Sequence, residues 1–308
     1  MAGSIPVVDL SDWLGGDPAA RAAFVRTLGE GLERFGFVAV TGHGIQPATL
    51  DEAYALARRV FALPTAVKQR YETPEDGRQR GYTSFGVEHA KDTLVPDLKE
   101  FWHVGRTLPS DHPLHVSGDV PPNRHPAEVP AFGPHFDALF TDMERFANQL
   151  LEAVAVYLGQ PVSYFRDMVR DGNSVHRLIH YPELGGGVPG GAVRAAAHED
   201  INLLTVLPVS TRPGLELLTR EGEWMAVEVP PDVMVCDTGD MMQLLTGGWL
   251  PATTHRVVNP GGPDGGRLSM PFFLHPHPDW MLTPIRGGGA PVRTRDFLHA
   301  RLKAIGVA

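Results

Sequence analysis

Between residues 175 and 275 the chain breaks into short apolar runs cut by turns: "VHRLIHYP", "INLLTVLPV", "GLELLT", "WMAVEVP", "VMVCDT", "THRVVNP" and "RLSMPFFLHP". Glycine punctuates them, most densely in the loop "ELGGGVPGGAV" after the first. Runs this short and this regularly spaced read as strands of an all-β sandwich or barrel. No internal repeat and no low-complexity linker interrupts the chain, so its 308 residues read as one continuous unit.

The first half has a different texture. "IPVVDLS" and "GFVAVTGHG" read as strands, with a helix over 18–35 between them. Leu50, Ala53, Tyr54, Ala57, Val60 and Phe61 recur at helical spacing, and Pro64 ends that helix. "DLKEFWHVGR", 97–106, reads as a strand. Residues 107–134, with seven prolines and three histidines, read as a long surface excursion. A long amphipathic helix over 134–158 follows, apolar along Phe136, Leu139, Phe140, Met143, Phe146, Leu150, Val154 and Leu158. "TRDFLHARLKAIG" reads as a final helix.

Composition excludes several functions. The net charge is −9 and no stretch is strongly basic, which argues against nucleic acid or an anionic membrane as partner. A single cysteine, Cys236, excludes an intrachain disulfide framework and thiolate-rich metal sites, and its apolar surroundings read as core. The opening "MAGSIPVVDLSDW" lacks the basic start and apolar stretch of a signal peptide. No apolar run approaches the ~20 residues of a membrane span, so a cytoplasmic location is expected.

Against this background "RAAAHEDINLLTVLP" raises a question, because an apolar β run opens with His198-Glu199-Asp200. In extended chain, residues two apart share a face, so imidazole and carboxylate can converge on one ion. By itself the pair could equally be a polar strand end. Two other His-x-Asp pairs occur, but His135/Asp137 sits on a helix, where residues two apart diverge, and His277/Asp279 follows the end of a strand. "THRVVNP" then supplies His255 at the start of a later strand. Two histidines and a carboxylate on neighbouring strands make the facial triad of non-haem Fe(II), with three positions left open. Twelve residues on, Arg267 and Ser269 share one face of an apolar strand. A buried guanidinium needs an anion, either an internal acid or a ligand carboxylate, for which a forked donor beside a hydroxyl is well suited.

Jointly, His198-x-Asp200, His255 and Arg267-x-Ser269 resemble the signature of the Fe(II)/2-oxoglutarate-dependent dioxygenases of the isopenicillin N synthase-like family. The likeness spans nearly the whole chain, through "IPVVDLS", "FGFVAVTGHGI", "HYP", "DTGDMMQLLTGG" and "HRVVNP". It implies a mainly β fold with packed helices around a double-stranded β-helix (jelly-roll) core. The expected organisation is a single oxygenase unit over 1–308: a mostly helical part over 1–170, the core with the metal site over 171–293, and a terminal helix over 294–308. The resemblance further implies Fe(II) on His198, Asp200 and His255, with 2-oxoglutarate chelating it. Arg267 and Ser269 would hold the cosubstrate's distal carboxylate, and Tyr181 would add its phenol. Partners would be O2 and a small organic molecule, most simply hydroxylated at a C–H bond. Oligomeric state is not indicated.

Departures from the family pattern sharpen this reading. Ile179 stands where plant members carry Asn. Glu199 is shared with isopenicillin N synthase, which oxidises its peptide without 2-oxoglutarate and has a Gln near its carboxy terminus that can meet the iron. Here the last glutamine, Gln243, precedes the third ligand, which favours the cosubstrate-using branch. The alternatives are therefore a cosubstrate-independent oxidase or cyclase, and a zinc hydrolase on the same His/Asp/His set. On the substrate side, Phe101 and His103 share one face of "KEFWHVGR" and Glu100 and Trp102 the other; one face would line the cavity. Tyr82 and Arg194 are further substrate-side candidates.

Overall fold

The computed structural model describes residues 4–87, 99–183, 194–258 and 266–304. Four strands come from the first third of the chain: β1 (Val7–Asp9), β2 (Phe37–Thr41), β3 (Gly81–Thr83) and β4 (Glu100–Gly105). The second half supplies β5 (Val175–Tyr181), β6 (Ala195–His198), β7 (Leu204–Pro208), β8 (Leu215–Leu218) and β9 (Trp224–Ala226). They are followed by β10 (Met234–Thr238), β11 (His255–Val257), β12 (Arg267–Ser269) and β13 (Phe272–Leu274), and by a small hairpin of β14 (Met281–Leu282) and β15 (Val292–Arg293).

Two facing sheets result. The larger runs β1-β2-β10-β7-β13-β5-β4-β3, with β12 also paired to β5, and the smaller runs β6-β11-β8-β9. From β5 onward the chain alternates between them: β5, β7, β10 and β12–β13 in the larger, β6, β8–β9 and β11 in the smaller. That winding is the jelly-roll. β12 and β13 are one strand broken at Pro271, which has no N–H to give the ladder.

The outer face of the larger sheet is covered by helices. The helix Phe132–Tyr157 buries Phe136, Leu139, Phe140, Met143, Phe146, Leu150 and Val154 along one stripe. Phe140 meets Phe272 of β13 edge-on at 5.0 Å, and Phe136 meets His176 of β5 at 5.7 Å. The helix Pro18–Phe35 begins where the Asp17 carboxylate accepts from the Ala19 and Ala20 N–H groups and ends at Gly36, whose φ of +67° turns the chain into β2. β1 to β4 extend the larger sheet on both edges, although most of the segment over 1–170 is helix and loop. The proline-rich stretch 107–134 holds a short helix, Pro113–Val116, and turns. Cys236 is fully buried in β10. Among the described residues no helix is long and apolar enough to cross a membrane. The glycine loop after "HYP" lies outside the described residues over 184–193.

Candidate metal centre

β6 and β11 are neighbours in the smaller sheet, and their register sets His198 opposite His255. The two rings lie 4.4 Å apart between centroids. Asp200 is two residues past the end of β6, in the turn that crosses to β7 in the other sheet. The pair therefore does not head the apolar run, as the sequence pattern suggested; it straddles a sheet crossing, and the run begins at Leu204. The geometric result is the same. Asp200 Oδ1 is 3.9 Å from His198 Nε2 and 3.7 Å from His255 Nε2, and the three ligand atoms fall within 4.8 Å of one another. Among the described residues this is the only such gathering of three metal-capable side chains.

The backbone decides which ring nitrogen faces the centre. His198 Nδ1 donates to the Ala196 carbonyl at 2.7 Å, and His255 Nδ1 to the Thr253 carbonyl at 3.1 Å. Each Nε2 is left with its lone pair toward Asp200, as a metal ligand requires. Burial, with His255 beside it, lowers the His198 pKa to about 4, which keeps this ring neutral. The Thr205 hydroxyl donates to Asp200 Oδ2 and in turn accepts from Asn202 Nδ2 at 3.0 Å. That leaves Oδ1 for an ion. Asp240 N–H donates to the Asp200 carbonyl at 2.8 Å, and a Cβ on Gly239 would fall 2.4 Å from the Asn202 carbonyl oxygen. "TGD" thus buttresses the Asp200 turn. Burial and the charge of Asp200 push Asp237 well above the usual carboxylate range.

Between the sheets lies a cavity of about 230 Å³ that reaches from the triad to Arg267 and Ser269. Arg267 is 3% exposed and stands opposite Tyr181 in the β12–β5 register. Its Nε donates to the Arg212 carbonyl at 3.1 Å and its Nη2 to Ser210 Oγ at 2.8 Å. Nη1 is buried without a hydrogen-bond partner among the described residues. Ser269 Oγ is 3.0 Å from Ser210 Oγ. An open donor beside two hydroxyls in a mostly apolar cavity fits a carboxylate, and the His/Asp/His set with pinned Nδ1 atoms fits a divalent metal.

The inward face of β4 carries Phe101 and His103. Phe101 packs with Ile179, Tyr181, Ala195 and Val257, which belong to both sheets, and His103 lines the cavity. Trp102 faces the helices, in contact with Phe132. Tyr82 is opposite Trp102 in the β3–β4 register and donates its hydroxyl to Glu100, so it is on the helical side and not on the cavity wall. Arg194 is buried just ahead of β6, close enough to Arg267 for their charges to oppose, and is not among the residues that line the cavity.

Residues 5–128 match the family described as non-haem dioxygenase in morphine synthesis N-terminal, and residues 172–276 match the 2OG-Fe(II) oxygenase superfamily. A 2OG-Fe(II) oxygenase family protein from Caulobacter crescentus is 36% identical, with a TM-score of 0.87 over 99% of this chain and 100% of that one. The chain belongs to the 2OG-Fe(II) oxygenase superfamily. As a 2OG-Fe(II) oxygenase it is an enzyme that uses Fe(II) and 2-oxoglutarate as its metal and cosubstrate. It is also similar to a full-length Neurospora crassa protein solved with alpha-KG and thymine: 26% identity, TM-score 0.86, over 97% of this chain and 96% of that one. An Aspergillus fumigatus 2-oxoglutarate-Fe(II) type oxidoreductase is 28% identical over 94% of this chain and 88% of its own length.

Sequence reasoning missed Thr205 and Ser210, which support Asp200 and Arg267. Thr205 was open to the alternation argument that put Arg267 and Ser269 on one face, since it lies on the inward row of β7. Ser210 lies beyond the end of β7 and carries no such signal.

Proposed function

We propose that this oxygenase hydroxylates a C–H bond of a small organic molecule, with Fe(II) held by His198, Asp200 and His255. One observation carries the reading. The triad shares its cavity with a buried arginine whose Nη1 has no protein partner among the described residues. A zinc hydrolase on the same ligands leaves that arginine without a task, and so does an oxidase that works without the cosubstrate.

Bound Fe(II) and 2-oxoglutarate supply O2 activation, coupled to decarboxylation of the cosubstrate to succinate and CO2. The chain does the positioning. Arg267, Ser269 and Tyr181 anchor the distal carboxylate and so set the cosubstrate's orientation toward the triad. Thr205 keeps one carboxylate oxygen of Asp200 occupied and the other on the metal. The apolar lining contributed by Ile179, Val175 and Phe273 excludes water and holds the target carbon. The thymine bound by the Neurospora crassa relative supports a ligand of that modest size. The cytoplasmic location, and the lack of nucleic-acid or membrane partners expected from charge and composition, belong to the same reading.

The test is a panel of small organic molecules offered to the Fe(II)-loaded protein with 2-oxoglutarate under oxygen-18 gas. The expected outcome is substrate-stimulated succinate release, with one labelled oxygen atom in the product. An unlabelled, desaturated or cyclised product would replace hydroxylation by another oxidation. Product formed without O2 or 2-oxoglutarate would overturn the reading.

A further inference from the structure

Arg267, Ser269, Pro271, Phe273 and His275 form one alternating row along β12 and β13 that lines the cavity, while Leu268, Met270, Phe272 and Leu274 face the core. His275 ends the row, just past β13, and is 7% exposed. Phe273 is opposite Thr205, which braces Asp200, so the metal carboxylate is supported two positions from His275 and six from Arg267. The cosubstrate reaches from the triad toward Arg267. His275 faces the room at the other end of the row.

The His275 ring is held as the metal histidines are. Its Nδ1 donates to the Phe273 carbonyl at 3.2 Å, two positions earlier, which repeats His198 with Ala196 and His255 with Thr253. Nε2 is left as the acceptor, and no group among the described residues donates to it. The backbone is fixed as well: the His275 N–H donates to Ser174 Oγ at 3.1 Å, and Gly172 packs against the His275 carbonyl with no space for a Cβ. Burial lowers the pKa to about 4, which keeps the ring neutral. The other histidines among the described lining residues are engaged. His198 and His255 face the metal, and His103 Nε2 accepts from Arg177 Nε at 2.7 Å. His275 is outside the group of three ligand atoms, so it is not a fourth ligand. An oriented lone pair in a mostly apolar cavity accepts a hydrogen bond at little cost in freedom, and it penalises a ligand that leaves it unmet.

We infer that His275 is a specificity-determining residue whose Nε2 accepts a hydrogen bond from the substrate, which makes the substrate a molecule that carries a neutral hydroxyl or amide N–H. Its apolar part lies over Phe273 and Val175, which are paired beside His275 in the β13–β5 register. A carboxylate or ether oxygen at this place would set lone pair against lone pair. The inference rests on the oxygenase reading and names its substrate class.

The test is made anaerobically on the Fe(II)–2-oxoglutarate complex, through its visible charge-transfer band. The probes are benzyl alcohol, cyclohexanol and benzamide, each against its methylated counterpart: benzyl methyl ether, methoxycyclohexane and N,N-dimethylbenzamide. At least one donor is expected to perturb the band at about one-tenth of the concentration its counterpart needs, the value of one hydrogen bond in a buried site. His275→Phe, which keeps a ring but no acceptor, should erase that difference. His275→Gln, whose amide oxygen accepts, should restore part of it. Formation of the band in each variant shows that the variant is folded, and should His275→Phe not form it, the same comparison in His275→Leu decides. Equal responses within every pair, a difference undiminished without the acceptor, or silence from all three donors would overturn the inference. Absence of the band in the unmutated protein would instead strike the oxygenase reading, and this inference with it.

Discussion

The two sheets divide the work unequally. The larger is buried on both faces, with β2, β4 and β10 almost wholly out of solvent and helices packed over its outer side. The smaller is covered on one face only: β6, β8 and β9 mix buried with half-exposed or exposed residues. The thin wall carries both metal histidines, whereas the thick wall carries Arg267, Ser269 and Arg177. The difference teaches that a metal ligand can sit on a lightly packed wall when the backbone holds its ring, but an internal cation needs a wall that keeps water out. Substitutions in the two walls should therefore fail differently.

The largest effect is expected at the crossing between them. Asp200→Ala should remove iron binding and all turnover, with a circular dichroism spectrum and melting temperature close to the parent's. Full activity at unchanged iron content would break the comparison at its centre. Next is the thick wall's cation. Truncating one member of a buried, hydrogen-bonded charge pair costs about 2–5 kcal/mol, which is roughly thirty- to several-thousand-fold in affinity. Arg267→Ala should weaken anaerobic 2-oxoglutarate binding by that amount, and Ser269→Ala by about 1.5–3 kcal/mol, the value of one hydrogen bond to a charged group. Iron binding should survive in both, and a reversed order would place the carboxylate elsewhere.

Stability separates the walls more directly. Phe272→Ala, in the fully buried β13 against the long helix, should cost about 3–5 kcal/mol in denaturant unfolding. Trp224→Ala, half-exposed on β9 with the Arg256 guanidinium 3.9 Å from its ring centroid, should cost about 1 kcal/mol. Comparable losses would mean that the smaller sheet is packed as tightly as the larger. A further effect is one of pH. Burial lowers His176 in β5 to about 4, while an unfolded histidine titrates near 6.5. The unfolded chain then takes up a proton that the folded chain refuses, so this contribution to stability is intact above about pH 6.5 and is lost as pH falls toward 4. The melting temperature should drop over that window, and His176→Gln should make the drop shallower.

Much of the site was legible because its chemistry is local. His198 and Asp200 are two residues apart, Arg267 and Ser269 likewise, and alternation sufficed to put each pair on one side. The residues that hold them were harder to find. Ser210 reaches Arg267 only because β7 and β12 end near each other, and no spacing along the chain encodes that proximity. The fold showed the same limit. The short strands of the second half announced themselves, yet the pairing of β2 with β10 joins Val38 to Cys236 across almost two-thirds of the chain. Tyr82 shows it too: its face is set by its register with Trp102, not by its own neighbours in sequence.

The carbonyls that orient His198 and His255 come from residues 196 and 253, each two positions earlier, and a carbonyl is present whatever side chain stands there. Those supporting positions can drift through evolution, or be randomised in a library, without disturbing how the imidazoles are presented. Asp200 has no such insurance, since its orientation hangs on the hydroxyl of Thr205, which only serine could replace in kind. Variation around the metal should therefore be lopsided, permissive beside the histidines and strict at residue 205.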